Sequence, residues 1–313
     1  MISDLKIVFM GTPEFGATSL QKMIDNDINP FLVVTNPDKP VGRGKQIQQS
    51  RVAQLATRNN IDVFKPQTMQ ELESKMEEVK PDLIVIASYG KIISKKVLDI
   101  PKYKTINVHP SLLPKYRGPS PIQYAILNGD KKTGVTIMLV ELEMDSGDIL
   151  NQKEYVIKDK TNYEELSHEL ALIGGYLLVN TINDWVSGKI KSKKQDSFPV
   201  YTKILDRFDG RIDWKDSAEE IERQVRAFNP WPGAYTYNKD KIIKILEADV
   251  LEQTRNGPFG TPGKTYLGTN GTIAVQAGRD FLVIKSFQLE GKKAMKTEEY
   301  LRGNNDLIGI LLK

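Results

Sequence analysis

The chain has 313 residues, 40% hydrophobic and 27% charged, with a net charge of +4 and no cysteine. That length suits two domains with full cores better than one, and the lack of cysteine excludes disulfides, zinc–thiolate sites and cysteine nucleophiles. A cytoplasmic protein is expected: the opening MISDLKIVFMGTPEFG lacks the basic-then-apolar pattern of a secretory signal, and no apolar run reaches the roughly 18 residues of a membrane helix.

Residues 5–11 (LKIVFMG) form a short apolar run ended by Gly-Thr-Pro, which reads as a buried parallel strand. Residues 13–26 follow with helical spacing, placing Phe15, Leu20, Met23 and Ile24 on one side and Pro13 near the start. The pattern repeats: strand 30–36, helix 50–60, strand 61–66, helix 69–79, strand 81–90, strand 103–109, helix 120–130, strands 133–143 and 148–157. A long amphipathic helix spans 161–188, with Thr161 at its start and Gly188 at its end. Alternating strands and helices imply an α/β fold with a doubly wound, mostly parallel, Rossmann-like sheet, and such sheets bind ligands at the carboxyl ends of their strands. Residues 188–210 are basic, polar and irregular and read as a linker. Beyond them one helix (217–228) precedes β-like runs at 233–238, 241–251, 265–278 and 281–289, a small β-rich domain expected to form an OB-like barrel. The expected division is 1–188, 189–206 and 207–313.

The first turn, GTPEFG (11–16), has Thr12-Pro13 where a dinucleotide fold needs glycine, and no P-loop is present. NAD and ATP are therefore not expected. Positive charge gathers at 39–51, 115–118 and 188–194, either as solvated faces or as a footprint for an anionic partner such as RNA.

Asn107 and His109 lie two apart on a strand and share one face, while Val108 points into the opposite layer. An amide and an imidazolium both donate hydrogen bonds, which suits an oxyanion developing on a carbonyl carbon, and imidazole also moves protons. A nearby carboxylate would hold the ring charged. Asp145, before Ser146-Gly147, is the first candidate, with Glu141 and Glu143 along the strand and Asp148 as competitors. Ser88-Tyr89-Gly90 also falls at a strand end. No G-x-S-x-G elbow supports a serine hydrolase. The second histidine, His168, has no metal-ligand spacing, so no metal is expected. Trp231, between two prolines, reads as a packed corner.

The motifs FMGTPEF, PDKPVGRGK, ASYGKI, INVHPSLLPKYRGPSPIQYAILNGD, TGVTIMLVELEMDSGDIL, VRAFNPWPGAY, TPGK and QLEGKKAM stand in that order. Through them the chain resembles the methionyl-tRNA formyltransferase family almost end to end. The resemblance implies 10-formyltetrahydrofolate as formyl donor and methionyl initiator tRNA as acceptor. It implies Asn107, His109 and Asp145 as the catalytic set. It places Ser111, Leu112, Leu113 and Pro114 on the folate segment, with Tyr89 and Gly90 beside it, and Arg43, with Lys39 and Lys45, on a loop at the acceptor end of the tRNA. A monomer is expected. A formyltransferase for a small amine (an amino sugar or glycinamide ribonucleotide) and a non-catalytic RNA-binding module are the alternatives. The basic loop and added domain oppose the first, and the intact Asn-His-Asp set opposes the second.

Overall fold

The apolar run at the start becomes β1 (Ile7–Gly11), buried at every position. A computed structural model of the protein describes residues 4–41, 46–196, 198–252, 260–269 and 271–313. After β1 come α1 (Glu14–Ile24), β2 (Leu32–Val34), the hairpin β3 (Lys39–Val41) and β4 (Gln46–Gln48), α2 (Arg51–Arg58), β5 (Val63–Phe64) and α3 (Met69–Val79). The chain continues through β6 (Leu83–Ala87), α4 (Lys95–Leu98), β7 (Thr105–His109), β8 (Lys115–Arg117), α5 (Pro121–Leu127), β9 (Lys132–Leu139), β10 (Ile149–Val156), α6 (Tyr163–Val186) and β11 (Val200–Tyr201). Two units divide it: Met1–Pro121, Lys132–Ile157 and Leu166–Lys203 form the first, and Ile122–Lys131, Lys158–Glu165 and Ile204–Lys313 the second.

The first unit is built on a seven-stranded sheet of order β10-β9-β7-β6-β1-β2-β5. Strands β7, β6, β1, β2 and β5 are parallel, and β9 and β10 reverse direction in turn. The chain runs outward from β1 to β2 and β5, then returns to β6 on the other side of β1. That reversal puts the topological switch point between β1 and β6, where the following loops diverge and leave a crevice. Val8, Met10, Ile84 and Ile86 pack on one face with Leu72 and Met76 of α3 and Val97 of α4. Each such side chain, fully buried, contributes about 1.5–3 kcal/mol. On the other face α6 closes on Val108, because a Cβ at Gly174 would lie 2.9 Å from it.

Three local expectations change. Strand β9 stops at Leu139, so Glu141 and Glu143 lie in the following turn, not on the strand. Leu139 N donates to Asp148 O and Val140 N to Thr105 O, the last bonds in register with β10 and β7 before the chain turns away. Helix α6 is capped by Asn162 instead of Thr161: Asn162 Oδ1 accepts from Glu165 N at 3.0 Å, and Glu165 Oε2 accepts from Asn162 N at 3.1 Å. Residues 189–196 and 198–203 are mostly irregular, as expected of a linker, but they are bound into the first unit. Lys193 and Ile149 exchange backbone hydrogen bonds, and β11 pairs with β8.

In the second unit α7 (Ala218–Phe228) starts with a Ser217–Glu220 capping box. It is followed by β12 (Ala234–Asn238), β13 (Lys241–Leu251), β14 (Thr265–Leu267), β15 (Ile273–Gln276), β16 (Phe281–Leu289), β17 (Met295–Lys296) and α8 (Thr297–Leu301). Ile221 and Val225 of α7 share a core with Trp214, Ile243, Val275, Leu282 and Phe287. The strands form an antiparallel sheet of order β12-β13-β16-β15-β14, with β17 on β16. Among the described residues its ladder is open strand to strand, so the OB-like domain expected from sequence is an antiparallel sheet that is not closed by strand pairing. The last residues bridge the two edges instead: Lys313 exchanges backbone bonds with Tyr237 at the end of β12, while Ile310 O accepts from Thr265 N in β14. Trp231 is not a packed corner, being 58% exposed.

Candidate active site

Strand β7 delivers Asn107 and His109 to its carboxyl end. Val108, between them, is buried against α6. Asn107 is half-buried, and its carboxamide has no hydrogen-bond partner among the described residues. His109 is only 4% exposed. Its Nε2 lies 3.0 Å from Tyr116 O; a carbonyl only accepts, so this nitrogen carries the proton. Nδ1 faces Asp145 Oδ2 at 3.7 Å, longer than a hydrogen bond. Burial pushes the imidazole below its ordinary value of 6.5, against the Asp145 carboxylate and the Tyr116 carbonyl, which pull it up. Neutral His109 is thus favoured in the free protein, whereas the sequence pointed to a carboxylate that holds it charged.

Of the four candidate carboxylates, Asp145 is the one that meets His109. It sits in the turn after β9 with φ of 50°, and its Oδ2 accepts from Gly118 N at 2.7 Å. Tyr116, whose carbonyl receives the imidazole proton, also has a left-handed φ of 65°. Such conformations cost about 1–3 kcal/mol each and persist where surroundings enforce them. Gly147 lets the turn close, since a Cβ there would fall 1.9 Å from Leu139 O. Glu143 reaches Arg117 at 3.6 Å, and Asp148 accepts from Ser192 Oγ at 2.7 Å.

The turn is also held from segment 189–203, which sequence reasoning left out of the site. Gln195 Nε2 donates to Asp145 O at 2.7 Å and to Gly147 O at 2.8 Å. Gln195 Oε1 accepts from Arg117 Nε at 3.0 Å and Nη2 at 2.9 Å. Arg117 Nη1 donates to Tyr201 OH at 3.4 Å, and Thr202 N donates to Arg117 O at 2.8 Å. A glutamine in a lysine-rich stretch carries no sequence signal for such a contact.

Ser111, Leu112, Leu113 and Pro114 form the turn between β7 and β8. Ser111 is fully buried, and its hydroxyl donates to Lys115 O at 2.6 Å. Leu113 is buried, with its N–H on Thr136 Oγ1 and its carbonyl on Gln152 Nε2. Leu112 and Pro114 are half-buried. At the end of β6, Tyr89 is buried with an unpartnered hydroxyl, its carbonyl accepts from Asn36 Nδ2 at 2.9 Å, and Gly90 is exposed. A cleft of about 570 Å³ opens beside the Asp145 turn, lined among others by Lys95, Lys104, Thr105, Val140, Glu141 and Ser146. Of these, the sequence had pointed only to Glu141, as a competing carboxylate, and to Ser146, as part of the turn after Asp145. Lys39 is exposed on β3; Arg43 and Lys45 lie outside the described residues. His168 is exposed on α6. Among the described residues, no group of three or more His, Cys, Asp or Glu could hold a metal ion, and no helix is long and apolar enough to cross a membrane.

A doubly wound sheet with an amide, an imidazole and a carboxylate at the rim, followed by an antiparallel domain, defines a class. The formyl transferase model matches residues 5–182, and the model of the formyl transferase C-terminal domain matches 205–305. The chain belongs to the formyl transferase family, enzymes of one-carbon group transfer, and to its methionyl-tRNA formyltransferase branch. It is 45% identical over 99% of its length to the methionyl-tRNA formyltransferase of Clostridium novyi (strain NT), covering 100% of that protein. It is 42% identical over 99% of its length to that of Clostridium tetani (strain Massachusetts / E88), again covering 100%. Solved structures share the fold. One is HypX from Aquifex aeolicus in complex with tetrahydrofolic acid, with a TM-score of 0.65 and 17% identity over 95% of this chain, which spans 47% of that longer one. Another is an N-formyltransferase from Helicobacter canadensis with folinic acid and dTDP-3-aminofucose, with a TM-score of 0.67 and 22% identity over 90% of this chain and 98% of that one.

Proposed function

We propose that the protein transfers the formyl group of 10-formyltetrahydrofolate to the α-amino group of methionyl initiator tRNA, giving N-formylmethionyl-tRNA for translation initiation. The observation that carries the chemistry is the Asn107 carboxamide, without a hydrogen-bond partner among the described residues, on the same strand as the buried His109 that faces Asp145. Near-complete coverage of relatives bearing that name supports the acceptor.

The folate supplies a formyl group on a nitrogen leaving group. The amine nitrogen bonds to the formyl carbon, the bond from that carbon to the folate nitrogen breaks, and an amine proton ends on the folate nitrogen. Asn107 donates to the formyl oxygen as charge grows there, a role worth on the order of 10²–10³ in rate. Neutral His109 is set to take up a proton at Nδ1, its one ring nitrogen with a free lone pair, and Asp145, which faces that nitrogen, stabilises the imidazolium that results. The ring's Nε2–H joins the oxyanion donors when it leaves the Tyr116 carbonyl for substrate. Leu112, Pro114, Tyr89 and Gly90 border the folate, while Ser111 and Leu113 shape the segment, their polar groups being satisfied by Lys115, Thr136 and Gln152.

Residues 1–188 act as the catalytic domain, 189–206 join it to 207–313, and the latter contacts tRNA. Lys39, Arg43 and Lys45 engage the acceptor end. The protein works as a cytoplasmic monomer. The test is transfer of labelled formyl from 10-formyltetrahydrofolate to methionyl initiator tRNA, with elongator methionyl-tRNA, glycinamide ribonucleotide and an amino-sugar nucleotide in parallel. Transfer to the initiator alone, weakening steeply with salt, is expected. Transfer to a small amine with little salt dependence would replace the acceptor and keep the chemistry.

A further inference from the structure

The geometry points to Gln195 as a positioning residue for the catalytic carboxylate, which makes this one side chain of the segment after α6 a working part of the active site. The inference rests on the role proposed for Asp145.

The side-chain amide of Gln195 is fully used. Its oxygen takes two N–H groups of one guanidinium, and its nitrogen gives one hydrogen each to Asp145 O and Gly147 O. Only Asn and Gln offer both an acceptor and two donors from one planar group, and Asn is one methylene shorter. Those two carbonyls flank the left-handed turn that aims the Asp145 carboxylate at His109. Among the described residues the carboxylate itself accepts one hydrogen bond, from Gly118 N. Gly118 directly follows Arg117, the other partner of Gln195. One amide therefore ties together both chain segments that set the carboxylate: the 145–147 turn and the 117–118 corner. Arg117 is anchored in turn, being 8% exposed and held by Tyr201 and Glu143.

The His109 to Asp145 distance of 3.7 Å is not locked by a hydrogen bond between the two groups. It is fixed by what holds each of them, so a loosened turn changes it directly. Misplacement by about 1 Å at a reacting group costs about 10² in rate.

The test uses the full-length enzyme with Gln195→Ala, Gln195→Glu, Thr202→Val and Asp145→Asn. Gln195→Glu keeps the acceptor for Arg117 but sets a carboxylate oxygen against two carbonyls. Thr202→Val loosens the same segment at Ser120 N and Arg117 O without touching the 145–147 turn. The charged and titratable groups bonded around the pair are Arg117, Glu143, Asp148 and Tyr201, and all stay in place in these variants. Both Gln195 variants are expected to lower kcat about 10²-fold, with KM for folate and acceptor little changed. The limb of the kcat–pH profile set by His109 should move to lower pH, because the carboxylate that pulls the imidazole up is less well held. Thr202→Val should keep the wild-type profile. Wild-type kcat and profile in both Gln195 variants, with Asp145→Asn inactive, would overturn the role of Gln195 and leave that of Asp145. An active Asp145→Asn enzyme would remove the catalytic reading itself. Equal losses and equal limb shifts in Thr202→Val and the Gln195 variants would assign the effect to general loosening, which also overturns the proposal.

Discussion

Among the described residues, each unit sets an acid against a base largely out of solvent, and the two pairs are built in opposite ways. In the second unit Glu222, 6% exposed at its side chain, accepts from Arg226 Nε at 2.9 and 3.0 Å. Lys160 adds a contact at 3.2 Å, and Arg226 Nη1 is satisfied by Thr161 O at 2.6 Å. In the first unit His109 and Asp145 stand 3.7 Å apart, with the imidazole proton given to a backbone carbonyl and burial working against its charge. The structural pair is closed, over-satisfied and formed within one turn of helix. The site pair is left short of closure and assembled from a strand end, a left-handed turn and a glycine N–H. Closure suits a group that only has to hold helix α7 to the 158–165 connection. A gap suits groups that must change partners or protonation during a reaction.

The largest effect that sharpens the comparison is on rate. Asp145→Asn keeps the size and the acceptor for Gly118 N but removes the charge that offsets burial of the imidazolium. Formyl transfer should fall on the order of 10²–10³, while urea unfolding stays close to wild type. A rate within a few-fold of wild type would make the site pair another structural one.

The converse holds for Glu222→Ala. Breaking one partner of a buried pair costs about 3 kcal/mol or more, read as a lower urea midpoint at unchanged slope. Formyl transfer per folded molecule should hold with a small-volume assay at low temperature. The double variant Glu222→Leu, Arg226→Met should recover most of the loss, since no charge is then left uncompensated. A large loss of kcat at wild-type stability would give this pair a catalytic role and dissolve the contrast.

How much of this was legible follows the same division. Period-two and apolar signals find β1, β6 and β7 because both faces of a parallel sheet are buried, and they put Asn107 and His109 on one rim. Asp145 stood out among four acids only as a residue before a Ser-Gly turn. What singles it out in space is a backbone that leaves the strand after Leu139 and is then held by Gly118 N and Gln195, contacts from distant parts of the chain. Gln195 was invisible, and Arg117 stood out only as part of a basic cluster, because side-chain contacts across 48 to 78 residues leave no periodicity. The edge bridging by Lys313 and Ile310 was missed for the same reason, having only a short polar-ended tail as its signal.

A smaller effect tests the floor of the site. Thr136, fully buried on β9, accepts from Leu113 N at 3.2 Å and Gln152 Nε2 at 2.9 Å and donates to Ser111 O at 2.7 Å. Thr136→Val leaves the Leu113 N–H without its partner at almost constant volume. Stability should drop about 1–3 kcal/mol, and KM for folate should rise with kcat held, because the 111–114 segment loses its anchor. A fall in kcat alone would move that anchor from the folate to the His109–Asp145 pair.

The smallest effect is a pH slope, and its sign separates burial from pairing at His109. A histidine held charged by its carboxylate would have a raised value, and its contribution would disappear as pH rises. Burial instead holds the His109 imidazole below 6.5. Between that lowered value and 6.5 the unfolded chain binds a proton that the folded protein does not, so stability rises with pH across this window. The contribution of the neutral ring is complete above the unfolded value and is lost as pH falls toward the folded one. Unfolding midpoints of wild type and His109→Gln, measured from pH 7.5 downward, should therefore converge below about 6.5, the ordinary histidine value, with the variant showing the flatter curve. Curves that diverge as pH falls would mean that Asp145 outweighs burial, and the open pair of the first unit would then be as closed in its energetics as Glu222–Arg226.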